Sequence, residues 1–200
     1  MNKLKNIIIV LELIVILALS IILITKLGNN AILEYDSEIE RKWLIDVKDI
    51  PYDLSKAEKY EIVQTYINFS PEIRVRNINN NEYILTTKCD TSIKGLTREE
   101  HEYIITQDEY EKLLSKGEGN TIYKTRYRLI NEDNIEIEID IFSGDLEGLA
   151  YLEIEFLDLE SAEKFPNPDW IKKDVTKDLS YKNGYLARYG IPDTFYEYMK

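Results

Sequence analysis

The chain has 200 residues, 31% of them charged and 44% hydrophobic, which suits one globular domain with an appendage and excludes a disordered polymer. A net charge of −12 excludes the broad basic surface of a general nucleic-acid binder, so no nucleic-acid partner is expected, although a local anion site remains open. A single cysteine, Cys89, and a single histidine, His101, exclude an internal disulfide and a multi-cysteine zinc site, and argue against a histidine-rich metal site or a Ser-His-Asp triad. Any resident metal is then a hard cation on oxygen ligands.

Residues Ile7 to Ile24 form an apolar run broken only by Glu12 and Ser20. Eighteen helical residues rise roughly 27 Å, close to the thickness of a bilayer core. A single-pass membrane anchor is therefore expected over residues 1–27, with residues 4–27 in the lipid bilayer. A cleaved signal peptide is the rival, but Ala18-Leu19-Ser20 is a poor cleavage site because Ile-Ile-Leu-Ile follows it. Lys3 and Lys5 precede the run and acidic residues follow it, weakly favouring an external domain; the side of the membrane stays open. Residues 28–35, with Gly28-Asn29-Asn30, read as a linker, and 36–200 as the folded domain.

Within that domain, Ser55-Lys56-Ala57-Glu58 reads as a capping box opening a helix to about Asn68. Thr106-Gln107-Asp108-Glu109 opens a second helix that Gly117 stops, and Leu159 to Lys164 forms a short third. After Trp170, short helices broken by Gly184, Gly190 and Pro192 are expected.

Between the helices lie segments of alternating character. Glu38, Glu40 and Lys42 share one strand face, with Ile39, Trp43 and Ile45 opposite. Arg74 and Arg76 flank Val75, Lys88 ends the next segment, and Arg98, Glu100 and Glu102 alternate after it. Lys124, Arg126 and Arg128 stand opposite Tyr123, Tyr127 and Leu129; Glu136, Glu138 and Asp140 oppose a row of isoleucines; Glu153 and Glu155 oppose Leu152, Ile154 and Phe156. Each strand alone is an ordinary sheet with one wet face. As a set, the strands are nearly all-acidic or all-basic, which a merely solvated face would not require. Closing the sheet with charges inward and apolar side chains outward beneath helices resolves the pattern. The expected fold class is thus α+β, β-dominated: a closed antiparallel barrel of at least seven strands with helices outside, preceded by one transmembrane helix. An interior of carboxylates, ammonium and guanidinium groups suits a polyanion with divalent cations.

The segment Glu38-Ile39-Glu40-Arg41-Lys42 resembles the ExExK signature of the CYTH superfamily, the triphosphate tunnel metalloenzymes. Arg74-Val75-Arg76, Tyr83 to Lys88, Tyr123 to Tyr127, Glu138 to Gly144, Glu153-Ile154-Glu155 and Asp174-Val175-Thr176 follow in the family's order. The resemblance implies a closed eight-stranded antiparallel β-barrel, a tunnel holding a linear triphosphate, inorganic or organic. It implies that Lys42, Arg74, Arg76, Lys88, Arg98, Lys124 and Arg126 bind phosphate oxygens. It also implies that Glu38, Glu40, Asp140, Glu153 and Glu155 hold Mg²⁺ or Mn²⁺, with Glu38, Glu40, Lys42 and Asp140 catalytic. Hydrolysis of inorganic tripolyphosphate is the activity expected. Thiamine triphosphatase, nucleoside triphosphatase, adenylate cyclase or a membrane-tethered polyphosphate- or nucleotide-binding module are the alternatives. His101 and Cys89 fall opposite the charged faces and read as structural.

Overall fold

The protein was analysed as a computed structural model that describes residues 39–90, 98–131 and 133–200, without the side chains of residues 89, 90, 98 and 99. All described residues belong to the compact unit Tyr35–Lys200. The expected anchor (1–27), the linker (28–35), Glu38 and the side chains of Cys89 and Arg98 lie outside this description. Among the described residues, no helix is long and apolar enough to cross a membrane.

Eight long strands run β1 (Ile39–Leu44), β2 (Glu58–Phe69), β3 (Glu72–Ile78), β4 (Glu82–Asp90), β5 (Arg98–Ile105), β6 (Glu118–Ile130), β7 (Glu136–Ser143) and β8 (Ala150–Phe156), and a two-residue β9 (Lys173–Asp174) follows. They form one antiparallel sheet in the order β5-β4-β3-β2-β6-β7-β8-β1-β9. The expected closed barrel is therefore corrected to a sheet that, among the described residues, stays open between β5 and β9. The physical reason is at β1. Its second edge is taken by the tail, with Trp43 opposite Asp174 and Leu44 opposite Lys173, so that edge is not offered to β5.

The helix expected over 55–68 is also corrected. Asp53, not Ser55, caps a single 3-10 turn, Leu54–Lys56, through its side chain and the amide of Ser55. From Glu58 the chain is strand. Its tyrosines and β-branched residues (Tyr60, Ile62, Val63, Thr65, Tyr66) prefer a pleated surface, and both neighbours, β3 and β6, bond to it. Tertiary pairing thus overrides the local helix-start signal. The other helices form where expected: α1 (Gln107–Leu114) with the Thr106/Glu109 capping box, α2 (Leu159–Lys164), α3 (Asn183–Tyr189) and α4 (Phe195–Tyr198).

Two apolar clusters lie on opposite faces of the sheet. On the outer face, Trp43, Ile45, Ile137, Ile139, Leu152 and Ile154 pack beneath the 3-10 turns after β1 and the 165–171 segment. On the inner face, Leu44, Tyr66, Ile122, Phe142 and Tyr151 pack against Tyr181, Leu186 and Phe195 of the tail. The inner face therefore changes character along its length, from apolar under the tail to charged beyond it.

Candidate anion and metal site

Register brings the charged residues onto one surface. On β1, Lys42 faces Glu153 and Glu40 faces Glu155; Glu153 in turn faces Glu138 on β7. Arg126 faces Asp140, and Arg128 faces Glu138. Across the sheet, Gln64 faces Arg76 and Tyr66 faces Arg74, while Arg74 faces Thr86, which faces Glu102. Directly paired residues share a face, so ten expected site residues (Glu40, Lys42, Arg74, Arg76, Lys88, Lys124, Arg126, Asp140, Glu153, Glu155) converge on it. Arg98, the first residue of β5, is placed by its backbone opposite Asp90 of β4.

The centre of the site is Asp140, fully buried. Lys124 Nζ donates to its Oδ2, Arg126 Nε donates to Oδ1 at 2.7 Å and Arg126 Nη2 to Oδ2 at 2.7 Å. Burial alone would raise this carboxyl, but the Lys124 and Arg126 charges and hydrogen bonds overcome it and hold it well below the usual range. Arg126 also donates to Glu153 Oε2 at 2.5 Å and pairs with Glu138. Lys42 Nζ lies 2.9 Å from Glu153 Oε1 and 3.3 Å from Glu40 Oε1. Burial works against the Lys42 charge, yet Glu153 and Glu40 more than offset it and raise its pKa. Glu153 is held below the usual carboxylate range against burial, chiefly by Lys42.

The β3–β5 side is poorer in negative charge. Arg74 Nη1 and Nη2 sit 3.2 Å from Glu72 and Glu100, and Lys88 Nζ is 2.5 Å from Glu100 Oε2. Arg76 Nη2 reaches Glu102 only at 3.4 Å, and Thr86 Oγ1 competes by donating to the same oxygen at 2.8 Å. Burial and the neighbouring Arg74 depress the Arg76 pKa, with Arg126 adding to the repulsion. The Nε atoms of both Arg74 and Arg76 are buried without a hydrogen-bond partner among the described residues. Buried unpaired donors on crowded cations are costly, and an anion relieves both faults at once.

The expected metal ligands are less well gathered. Among the described residues, no three acidic, histidine or cysteine side chains converge as a cation site. Asp140 and Glu153 spend their oxygens on Lys124, Arg126 and Lys42. Glu40 and Glu155 stand directly opposite one another at the exposed end of this row. Sequence reasoning missed Glu72, which pairs with Arg74, and Thr86, which donates to Glu102; only their even spacing from Arg74 and Lys88 on the same strands could have pointed to them.

The CYTH domain model matches residues 36–188. The chain belongs to the CYTH family. Among its CYTH relatives, an inorganic triphosphatase of Nitrosomonas europaea is 34% identical over 154 residues, covering 76% of this chain and 97% of the relative. A second inorganic triphosphatase, from Acetivibrio thermocellus, is 35% identical over 154 residues, covering 76% and 93% respectively. A crystal structure of an inorganic triphosphatase, 32% identical, matches with a TM-score of 0.58 over 76% of this CYTH chain and 95% of that one.

Proposed function

We propose that this chain hydrolyses a linear triphosphate, inorganic tripolyphosphate, on its charged inner face. The observation that carries the reading is the pair of buried Nε donors of Arg74 and Arg76, without a partner among the described residues, on the same face as Lys124 and Arg126, with the Arg76 charge disfavoured by burial and by Arg74. The kinship with inorganic triphosphatases at 34 and 35% identity names the anion that such a surface takes.

Lys42, Arg74, Arg76, Lys88, Lys124 and Arg126 bind and orient the phosphate oxygens, with Arg98 joining them from β5. Asp140, locked to Lys124 and Arg126, aims those two cations and keeps them charged. Preorganised cations of this kind stabilise charge that grows on phosphoryl oxygens during transfer, with no reorganisation at the moment of reaction.

The reaction is divalent-metal dependent in this reading, and the donor chemistry fits. Glu40 and Glu155 stand directly opposite one another on β1 and β8, and paired carboxylates are the oxygen donors a hard divalent cation prefers. Glu38 precedes them in sequence, so Glu38, Glu40 and Glu155 would hold Mg²⁺ or Mn²⁺, with Glu153 beside them along β8 shared with Lys42 and Arg126. Bound there, the metal supplies charge neutralisation and an activated water. Residues 1–27 as a membrane anchor remain part of the proposal on the strength of the apolar run 7–24 alone.

The test is orthophosphate release from tripolyphosphate by the full chain in detergent, with Mg²⁺, Mn²⁺ or excess EDTA. Metal-dependent release supports the reading. Binding without release in any metal contradicts it and leaves a triphosphate-binding module.

A further inference from the structure

Behind the charged face, a second polar network grips β1 from the outside. Arg41 Nη1 donates to the carbonyls of Ala162 (3.2 Å) and Phe165 (2.5 Å), while Nη2 donates to Asn167 Oδ1 (2.6 Å) and Asp174 Oδ2 (2.5 Å). Its guanidinium stacks 4.6 Å from the ring centre of Trp43, whose Nε1 donates to the same Asn167 oxygen at 2.8 Å. Asp174 Oδ1 accepts from the Thr176 amide at 3.0 Å. Thr176 Oγ1 then accepts from the Lys42 amide at 3.0 Å and donates to the Lys42 carbonyl at 3.3 Å, a carbonyl that also accepts from Val175 N at 3.0 Å. The network therefore ends on both backbone groups of one residue, and that residue is Lys42.

The consequence lies on the other face of the sheet. In an antiparallel strand a residue's N–H and C=O point to the same side. Lys42 sends both to the tail, so it meets Glu153 as a non-hydrogen-bonded pair, the kind in which side chains come closest. The 2.9 Å contact of Lys42 Nζ with Glu153 Oε1 follows from that choice of edge. Slipping β1 by one residue would turn Lys42 to the outer face and Arg41 to the inner one, and the Arg41 acceptors and the Thr176 bonds oppose it.

We propose that Arg41, Asp174 and Thr176 form a positioning unit that sets Lys42 in the triphosphate site from behind; the inference rests on the triphosphatase reading above. The unit touches no substrate and acts only through the β1 backbone. It also gives a role to Asp174 and Thr176, the two polar positions that flank the core residue Val175.

The test is a double-mutant cycle on the full chain in detergent, with kcat and KM for tripolyphosphate, calorimetric binding of tripolyphosphate and melting temperature read together. Thr176→Val is expected to lower kcat/KM on the order of 10-fold or more, as small misplacements of a positioned group do. Thr176→Ser, which keeps the hydroxyl, should restore it. In a Lys42→Ala background, Thr176→Val should cause no further loss, because the two changes then remove one interaction. Asp174→Asn runs through the same cycle and decides the matter if Thr176→Val does not fold. Equal losses in both backgrounds, no rescue by serine, or unchanged kcat/KM would overturn the positioning unit while leaving the triphosphatase reading intact. A wild-type chain that neither binds nor cleaves tripolyphosphate overturns that reading, and the unit's role with it.

Discussion

Asp140→Asn is the most informative single substitution in the inner face. Asparagine keeps the size of the side chain but removes the charge that Lys124 and Arg126 share, and it turns an amide donor toward one of them. The carboxylate has no exposure to solvent, and its three hydrogen bonds come from charged donors. Water therefore cannot replace what is lost. Removing one partner of such a buried cluster costs about 3–5 kcal/mol. At roughly 2–4 °C per kcal/mol for a domain of this size, the melting temperature should fall by roughly 6–20 °C. The loss should depend on pH with a definite sign. Asp140 has a depressed folded-state pKa, so its stabilisation is fully present above the unfolded value of about 3.9 and fades as pH falls through the folded value. Thermal unfolding of wild type and variant at pH 7 and near pH 3 measures both effects, and the gap should narrow in acid. Adding Lys124→Met should return part of the stability by removing the uncompensated cation. A drop of less than about 1 kcal/mol at pH 7 would refute the reasoning, because it would mean that Asp140 is not the group holding these cations.

Other predictions test other parts of the account. Arg76→Met should hold or raise the melting temperature without ligand, since a crowded, poorly paired guanidinium is removed, yet weaken tripolyphosphate binding at least tenfold by calorimetry. Lys42→Ala should abolish most turnover while the protein still melts cooperatively, as read by orthophosphate release alongside circular dichroism. Gly119→Ala should destabilise by more than about 1 kcal/mol in thermal melts. The reason is geometric: Gly119 has φ +70°, and an added Cβ would lie 2.6 Å from the Ala187 carbonyl on α3. Thr106→Ala should cost about 1 kcal/mol through loss of the α1 capping box, with turnover unchanged.

Much of the site was legible because a strand's period of two is exact. Once Lys124, Arg126, Glu138 and Asp140 were placed on strands, their common face followed from sequence, and register confirms it. What sequence could not give is which charges meet. Arg126 reaches Asp140, Glu153 and Glu138 on two different strands, a fact of long-range pairing that no local spacing encodes. For the same reason the sequence could not show that Asp140 meets both Lys124 and Arg126. The Ser55 helix signal misled because its residues fit both structures, and the neighbours β3 and β6 decided the outcome. Closure failed at β1, where the tail takes the free edge. Arg41 was visible only as the spacer of a motif, and its acceptors lie more than 120 residues away in sequence.

The central claim is that the inner face holds a triphosphate on its buried cations. A crystal structure of the full chain with a non-hydrolysable tripolyphosphate analogue and Mg²⁺ or Mn²⁺ tests it most directly. The account predicts phosphate oxygens within hydrogen-bond distance of Arg74 Nε and Arg76 Nε, with further oxygens on Lys42, Lys124 and Arg126, and the metal at the Glu40 and Glu155 end. An analogue bound elsewhere, with both Nε atoms still lacking a ligand partner, would contradict it.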